Sequence, residues 1–308
     1  MKKASPIAIW AAMLAIYVIW GSTYLAIRYA VQTIPPFLMA GARFAIAGGL
    51  LYFWRRSAGD PAPSRREWRG AGIAGVLLLT LGNGGVAWAE QRLASGLAAL
   101  LIGTTPLWLV LLDWLRPGGV RPGRLAVLGL LVGFGGIILL IGPGQTGGGQ
   151  VDLIGAAAVV VATVAWAIGS IYGRGAIFPA SPLMGTASEM LAGSAGLLLA
   201  GTLSGEWGRL NLAGIAPSSL IGVAYLIVFG SLIAFSAYVW LLRVAPLSLV
   251  STYAYVNPVV AVFLGGLIAH EPLGLRTLIA AGIILGSLVI TNLARRAGGK
   301  RVARSEAT

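Results

Sequence analysis

Ten apolar stretches of about 20 residues each run along this chain of 308 residues. About 20 apolar residues in a helix cross the ~30 Å hydrocarbon core of a bilayer, and lipid-exposed segments of this kind must be helical to satisfy their backbone groups. Only 10% of the residues are charged and the mean hydropathy is +0.87, whereas soluble domains have about 25% charged residues. The sequence therefore predicts an all-α polytopic membrane protein with transmembrane helices at 8–30, 35–54, 68–89, 95–115, 122–141, 151–172, 182–202, 217–241, 246–269 and 274–293.

The second five stretches echo the first five. Shifts of 146 and 152 residues align Trp20 with Trp166, Arg43 with Glu189, and Pro106 with Pro258. Because five is odd, a second copy that follows five crossings enters the bilayer from the opposite side. The pattern predicts a five-plus-five inverted-topology repeat, which is typical of secondary transporters with a substrate site near the midplane. The predicted units are 1–146, 150–293 and a basic tail at 294–308, with a glycine-rich link at 142–150 between the repeats.

The net charge of +13 is distributed unevenly between the two sides of the predicted bundle. Seventeen of the 22 Lys and Arg residues fall in the tails and even-numbered loops, against four in the odd-numbered loops. Basic loops stay on the cytoplasmic side, so we expect both termini there, in a multi-pass protein of the bacterial inner (plasma) membrane. The excess matches contact with anionic lipid head groups and requires no nucleic-acid partner.

Two charged side chains lie inside predicted spans. Arg43 and Glu189 each stand about eight residues into the second and seventh stretches, at equivalent repeat positions. Charges within the bilayer are expensive and mark functional sites. An ion pair across the repeat interface is one interpretation; the other is that each side chain snorkels or pairs locally.

Pro106 and Pro258 lie in the middle of the fourth and ninth stretches. Each removes one backbone hydrogen bond and crowds the carbonyl four residues earlier, at Ile102 and Ala254. A freed carbonyl can ligate a solute or mark a bend, so both prolines are candidate hinges of a gate. An ordinary bend without a gating role remains the alternative.

Aromatic and polar residues of the spans supply the candidate substrate site. Aromatic rings near exposed backbone carbonyls suit an organic solute with an apolar part and a polar end, although ordinary helix packing explains any single one. Asn83 is an amide on a glycine-weakened segment that needs hydrogen-bond partners. The predicted substrate-binding residues are Trp20, Tyr24, Thr80, Asn83, Trp108, Trp166, Ser170, Tyr253 and Asn257.

Several kinds of chemistry lack the residues they require. The chain has no cysteine and a single histidine, His270, so neither thiolate nor histidine-cluster metal sites are expected. No Walker-type phosphate loop is present. We therefore predict no cofactor, no metal and no enzymatic activity. Glu189 is the one clear carboxylate within a span, which favours facilitated movement over strong proton or sodium coupling.

One combination of residues along the chain is typical of a known family: Trp20-Gly21-Ser22, Pro36, Arg43-Phe44, Pro106, Trp166, Asn257-Pro258, His270-Glu271-Pro272 and Gly282. In these residues the chain resembles the EamA family of the drug/metabolite transporter superfamily, and within it the aromatic and neutral amino-acid exporters of the YddG type. The resemblance implies ten helices in a five-plus-five inverted repeat, cytoplasmic termini, and export of metabolites that include amino acids. The chain departs from the family pattern in one place, because the first half has Gly119 at the offset where the second has Glu271.

These observations predict a secondary transporter that exports small organic metabolites, in the first place aromatic or neutral amino acids, by alternating access at a midplane cavity between the repeats. The predicted partners are that small molecule and the lipid bilayer. The sequence leaves the oligomeric state open, and a monomer is one of the alternatives. A multidrug exporter of the same fold is the alternative and would depend on Glu189. A membrane-embedded enzyme would need a catalytic group near His270. We expect the fifth and tenth helices, with GxxxG motifs at Gly129/Gly133 and Gly282/Gly286, to pack together or to close the halves, or else to form a dimer contact.

Overall fold

The computed structural model describes residues 5–116, 122–141, 151–245, 247–250, 252–271 and 274–305, which contain helices and connecting turns but no strand. The link at 142–150 and Gly119 lie outside the described residues. The short segments Glu206–Arg209, Leu212–Gly214 and Leu247–Val250 connect longer helices. The long helices are α1 (Pro6–Ala30), α2 (Pro36–Ser57), α3 (Arg65–Ala89), α4 (Ser95–Leu115), α5 (Arg124–Ile141), α6 (Leu153–Gly173), α7 (Pro182–Leu203), α8 (217–244), α9 (Tyr253–Ile268) and α10 (Leu275–Ser305).

Seven of these helices are long and apolar enough to cross a membrane, namely α1 to α4 and α6 to α8. In the described parts of α5, α9 and α10 the apolar stretches are shorter, at Arg124–Leu140, Val256–Ile268 and Leu275–Ile290. The number of crossings and the opposite sense of the two halves stay predictions. Helix α10 continues through most of the predicted basic tail, as far as Ser305.

Local sequence signals set several helix starts. Pro36, Pro182 and Pro217 occupy the first turns of α2, α7 and α8, where a missing backbone N–H costs nothing. Ser64 and Glu67 form a capping box at the start of α3, each side chain accepting the other's backbone N–H. Most apolar runs thus become helices that begin and end close to the predicted boundaries, whereas α9 begins later and α10 ends later than predicted.

Glycines allow two pairs of helices to pack closely. Helix α2 runs along α7, where a Cβ at Gly48 would come within 2.8 Å of Met190 Cβ. Helix α5 runs along α10, as expected from the sequence. The GxxxG motif of α10 takes no part in this contact, because Gly282 and Gly286 are exposed and no atom lies within 4 Å of their Cβ positions. On α5, both Gly133 of the predicted motif and Gly136 make close contacts with α10.

The two ends of the bundle are named here after one residue each. At the Glu90 end, Arg28 on α1 contacts Leu93 before α4 and Glu271 after α9. At the Asp60 end, the loop before α3 reaches the loop before α7 through the Asp60–Ser181 hydrogen bond. Each end therefore joins elements from both halves of the chain.

Candidate functional site

Helices α1, α8 and α9 contribute an aromatic cluster of Trp20, Phe235, Tyr238 and Tyr253. The Trp20 ring centroid lies 6.0 Å from that of Phe235 and 5.2 Å from those of Tyr238 and Tyr253. These separations and the edge-on or tilted ring orientations are favourable for aromatic pairs. The structure thus brings the predicted residues Trp20 and Tyr253 together and adds Phe235 and Tyr238, two span aromatics that are not among the predicted substrate-binding residues.

Helices α3 and α8 each contain a π-helical segment, Val76–Asn83 in α3 and Leu226–Ile233 in α8. Such segments interrupt regular α-helical hydrogen bonding and are frequent at functional sites. The indole Nε1 of Trp20 donates to the carbonyl of Gly230, within the α8 segment, at 3.1 Å. The two segments occupy the same place in the third helix of each predicted repeat, and residue spacing alone did not predict them.

The guanidinium of Arg43 is buried against the same segment of α8. Its Nε donates to Ser231 Oγ at 3.0 Å, and its Cζ lies 4.6 Å from the Phe44 ring centroid. A Cβ at Gly230 would lie 3.2 Å from Nη2, so Arg43 and Trp20 contact neighbouring residues of α8. Neither Nη atom donates to another described residue, which leaves both available to a ligand.

Glu189 on α7 does not pair with Arg43. Four ion pairs between described residues have an N–O distance within 4.0 Å. They are Arg28 with Glu271, Arg55 with Asp60, Arg92 with Asp152, and Arg116 with Asp113. The half-buried Glu189 carboxylate has no hydrogen-bond partner among the described residues, but it acts electrostatically on Tyr238 of the aromatic cluster. The cross-repeat ion pair is therefore absent: Arg43 bonds to Ser231 in the other half of the chain, and Glu189 has no partner among the described residues.

The predicted residues of α3 and α6 lie around the other π-helical segment. Trp166 packs against Gly82, where a Cβ would come within 3.0 Å of the indole ring. Thr80 Oγ1 donates to a backbone carbonyl of α7 at 3.0 Å, and Ser170 Oγ donates to the Trp166 carbonyl at 2.8 Å. Both hydroxyls are thus already used in helix contacts, whereas the buried Oδ1 of Asn83 has no partner.

The three remaining predicted substrate residues have different surroundings. Trp108 packs edge-to-face on Phe134 of α5 with ring centroids 4.9 Å apart, and its buried Nε1 has no partner. Asn257 on α9 likewise has a buried Oδ1 without a partner. Tyr24, one helical turn beyond Trp20, lies within electrostatic range of Glu90. Buried polar atoms are rarely left unbonded, so these atoms mark places for water or a solute.

The two candidate hinges differ in form. Helix α4 is interrupted after Ile102 and resumes at Thr105, with Pro106 in its new first turn. The carbonyl of Ile102, predicted to be freed, accepts a hydrogen bond from Thr105 Oγ1 at 2.5 Å. Pro258, by contrast, lies inside the uninterrupted helix α9. Helix α4 is therefore interrupted just before Pro106, whereas α9 continues through Pro258, and the hinge role of both prolines stays a prediction.

Glu271 joins three elements at the Glu90 end. Its Oε1 accepts the Ser95 N–H at 2.8 Å, and its Oε2 accepts the Gly96 N–H at 3.1 Å. A carboxylate there satisfies backbone donors and complements the positive end of the α4 dipole. Arg28 Nε lies 3.3 Å from Oε1. We call this contact of Arg28, Glu271 and the first turn of α4 the Arg28 latch.

Glu90, the first residue after α3, is buried beside the Arg28 latch. Arg28 Nη1 donates to the backbone carbonyls of Glu90 at 3.1 Å and Leu93 at 2.5 Å. Both Glu90 carboxylate oxygens are buried without a partner. Burial above all, and then the charge of Glu271, raises the pKa of Glu90 well above its usual range, with Arg28 opposing the shift.

The prediction that Glu189 is the one clear carboxylate within a span left out buried carboxylates at the span ends. Besides Glu189, the side chains of Glu90, Glu206 and Glu271 are buried at the Glu90 end. Glu206 accepts the backbone N–H groups of Phe37 and Leu38 at the start of α2, at 3.3 and 2.9 Å. Sequence reasoning missed Glu90 and Glu206 because charged residues at the end of a span are usually interpreted as solvated loop residues. For Glu271, the family motif was the only signal in the sequence.

The Asp60 end is held by a second, part-buried ion pair. Arg55 Nε and Nη2 donate to the two carboxylate oxygens of Asp60 at 2.8 and 2.9 Å. This bidentate pairing, followed by the hydrogen bond with Ser181, lowers the pKa of Asp60 to about 2. Loops from the two halves of the chain are therefore connected at both ends of the bundle.

The model of the EamA-like transporter family matches residues 6–142 and 153–293, one match in each half of the chain. The chain belongs to the EamA-like transporter family. Among the relatives of this EamA-like protein is the inner membrane transporter YedA of Escherichia coli strain K12, which is 38% identical over 297 residues, 96% of this chain and 94% of YedA. The protein is thus a member of a family of membrane transporters.

More distant relatives of this EamA-like protein carry similar names. A transporter of Archaeoglobus fulgidus is 27% identical over 91% of this chain and 97% of its own length. The transporter YvbV of Bacillus subtilis is 25% identical over 93% of this chain and 92% of its own length. A crystal structure with 22% identity superposes with a TM-score of 0.63 over 95% of this chain and 99% of that chain, which shows a shared fold.

Proposed function

We propose that this EamA-like protein exports small zwitterionic metabolites, in the first place aromatic or neutral amino acids, across the bacterial inner membrane. The observation that carries the proposal is the convergence of Trp20 and Arg43 on neighbouring residues of α8, Gly230 and Ser231. A guanidinium with unbonded Nη atoms can pair with a carboxylate in bidentate geometry. The aromatic cluster around Trp20 offers apolar ring surface for a side chain.

Glu189 supplies a counterpart for an ammonium group. Arg43 contacts α8 at Ser231, and Glu189 acts on α8 at Tyr238, seven residues and thus about two turns away. Seven residues correspond to about 10 Å along a regular α-helix, so the two charged side chains act at separate positions along α8, one for each end of a zwitterion. In this arrangement Arg43 binds the carboxylate, Glu189 binds the ammonium, and the aromatic cluster binds the side chain.

The proposed transport cycle is alternating access at a cavity between two inverted repeats. Support comes from the two family matches, one in each half, and from the π-helical segments in the third helix of each half. Contacts between halves at both ends of the bundle are suited to gates that open in turn. The excess of basic residues in the predicted tails and even-numbered loops supports a cytoplasmic location for the Asp60 end.

Exchange in proteoliposomes tests the proposal. Vesicles that contain the purified chain and unlabelled phenylalanine should accumulate labelled phenylalanine, with and without a pH gradient. Amino acids should compete, whereas tryptamine, which lacks a carboxylate, and N-acetylphenylalanine, which lacks an ammonium, should compete poorly. Arg43→Gln should reduce exchange strongly, whereas Ser188→Ala, a buried change on α7 that removes only an intrahelical hydrogen bond, should not. Absence of exchange for every amino acid would contradict the proposal.

The unpaired Glu189 carboxylate also favours a second candidate function, export of organic cations. A membrane carboxylate without a partner can bind a cationic drug or its counter-proton. In that case tryptamine would compete as well as phenylalanine, and Glu189→Gln would abolish resistance of cells to cationic toxins while Arg43→Gln would not. The competition series in the same vesicles therefore separates the two functions.

A further inference from the structure

Glu90 has surroundings that do not suit an ionised carboxylate. The residue is 1% exposed, and neither carboxylate oxygen has a hydrogen-bond partner within the described residues. Its backbone carbonyl, by contrast, accepts from Arg28 at 3.1 Å. An ionised carboxylate without donors is far costlier to bury than a neutral acid, and such a group takes up a proton instead.

The charged groups that face Glu90 would not neutralise its carboxylate if it were ionised. Arg28 on α1 is already paired with Glu271, whose two oxygens are satisfied as an anion by the first turn of α4. Tyr24 on α1 contributes a neutral hydroxyl within electrostatic range. Near α6, Arg92 and Asp152 neutralise each other at 3.4 Å. One guanidinium thus faces two carboxylates, and two carboxylates that share a site do not both ionise readily.

We propose that Glu90 is a proton-binding site, occupied while the Glu90 end is closed and emptied when that end opens. Opening separates α1, α4 and the segment after α9, which the Arg28 latch holds together, and admits water to Glu90. The carboxylic acid then gives its proton to water and becomes a carboxylate that competes with Glu271 for Arg28. On closing, the proton returns to Glu90 from the solution at the same end, so no proton crosses the membrane by this route.

The proposal fixes how closure depends on pH. The closed state is the one in which the Glu90 acid is stabilised relative to its anion. The stabilisation of the closed state by the protonated Glu90 is therefore complete at pH values below the ordinary pKa range of a glutamate. It is lost as the pH rises toward the pKa that Glu90 has in the closed state. Linkage to one proton changes the closed-to-open ratio by at most about tenfold per pH unit.

A single cysteine can report this opening because the chain has none of its own. Ser95 is fully buried next to the Arg28 latch, and Ser95→Cys changes only one side-chain atom. Maleimide labelling of the purified full chain in detergent is measured from pH 5 to 9 and divided by that of Gln91→Cys, an exposed thiol nearby. The ratio of the two labelling rates should rise with pH by up to about tenfold per pH unit. When Glu90→Gln is combined with Ser95→Cys, the ratio should stay low at every pH.

A matched control is Glu206→Gln, which alters another carboxylate that is 1% exposed at the same end but has bonded oxygens. It should retain the pH dependence. Two outcomes would overturn the proposal: an unchanged pH slope in Glu90→Gln, or closure at alkaline pH that sodium restores and potassium does not, which would assign the site to a metal ion.

Infrared spectroscopy gives a second measurement that does not depend on folding of the Glu90 variant. In Glu189→Gln, which removes the other unpaired carboxylate, the carbonyl band of a protonated carboxylic acid should persist at neutral pH and disappear over the pH range in which labelling rises. Absence of this band at neutral pH would also overturn the proposal. The inference rests on the opening and closing of this end in the proposed transport cycle. Because neither measurement needs a transported substrate, its failure can be distinguished from failure of the proposed substrate class.

Discussion

The ring of Pro258 packs against Gly103: a Cβ at Gly103 would come within 2.8 Å of the proline Cγ. Gly103 lies in the interruption of α4, three residues before Pro106, so the two candidate hinge regions meet at one contact. Because packed cores transmit displacement, a change of bend in α4 moves directly against α9. We therefore expect a movement of α4 at its interruption before Pro106 to be accompanied by a movement of α9 at Pro258.

Gly103→Ala should destabilise the protein by about 1–3 kcal/mol, the usual cost of overpacking, because the added methyl group meets a rigid ring. The measurement is thermal unfolding of the purified protein in detergent, together with exchange in proteoliposomes. Gly72→Ala is the matched control, since no atom lies within 4 Å of its Cβ position. Equal stability of the two variants would show that the Gly103–Pro258 contact is not tight.

Ser231→Ala should cost about 1–3 kcal/mol because it leaves the buried Nε of Arg43 without an acceptor. Ser188→Ala should cost less, because the buried Ser188 hydroxyl only donates to the Met184 carbonyl of its own helix. Chemical unfolding of both variants tests this difference. If Ser188→Ala were the more damaging change, the Arg43–Ser231 hydrogen bond would not be important for stability.

Glu271→Ala should destabilise the Glu90 end because it removes the acceptor for the Ser95 and Gly96 N–H groups and the partner of Arg28. Unsatisfied buried donors cost about 1–3 kcal/mol each. In a double-mutant cycle, Arg28→Ala with Glu271→Ala should cost less than the sum of the single changes, because the two residues interact. Additive losses would mean that the ion pair contributes nothing.

The Asp60 ion pair should titrate in strong acid. The pKa of Asp60 is lowered to about 2, so its stabilising effect is present above the ordinary aspartate value of about 3.9 and is lost as the pH falls toward 2. Carbon-13 NMR of the labelled Asp60 carboxyl group measures this titration. Arg55→Gln should move the midpoint upward, and a midpoint that did not change would exclude Arg55 as the main cause.

Helix positions could be predicted from the sequence because the length of an apolar run directly determines where a membrane helix starts and stops. The π-helical segments could not, since they depend on backbone geometry within one turn. Gly82, Gly84 and Gly85 indicated only a weakened helix. In α4, the predicted effect of Pro106 on the Ile102 carbonyl was sound, but Thr105 supplies the missing donor.

The charged residues show the limit of spacing arguments. Position along a helix gives the depth of Arg43 and Glu189 but not the direction of their side chains, and Arg43 bonds to Ser231, a residue that the repeat alignment does not mark. Glu90 and Glu206 were assigned to loops because a residue's burial at a span end depends on neighbours distant in sequence. Of the candidate site, the aromatic pair Trp20 and Tyr253 was predictable; its polar partners were not.

The caps at α2 and α4 have a consequence for biosynthesis. Both helices belong to the first half of the chain, yet their first backbone N–H groups are bound by Glu206 and Glu271, which the ribosome adds much later. The starts of α2 and α4 therefore lack these acceptors until Glu206 and Glu271 have been synthesised.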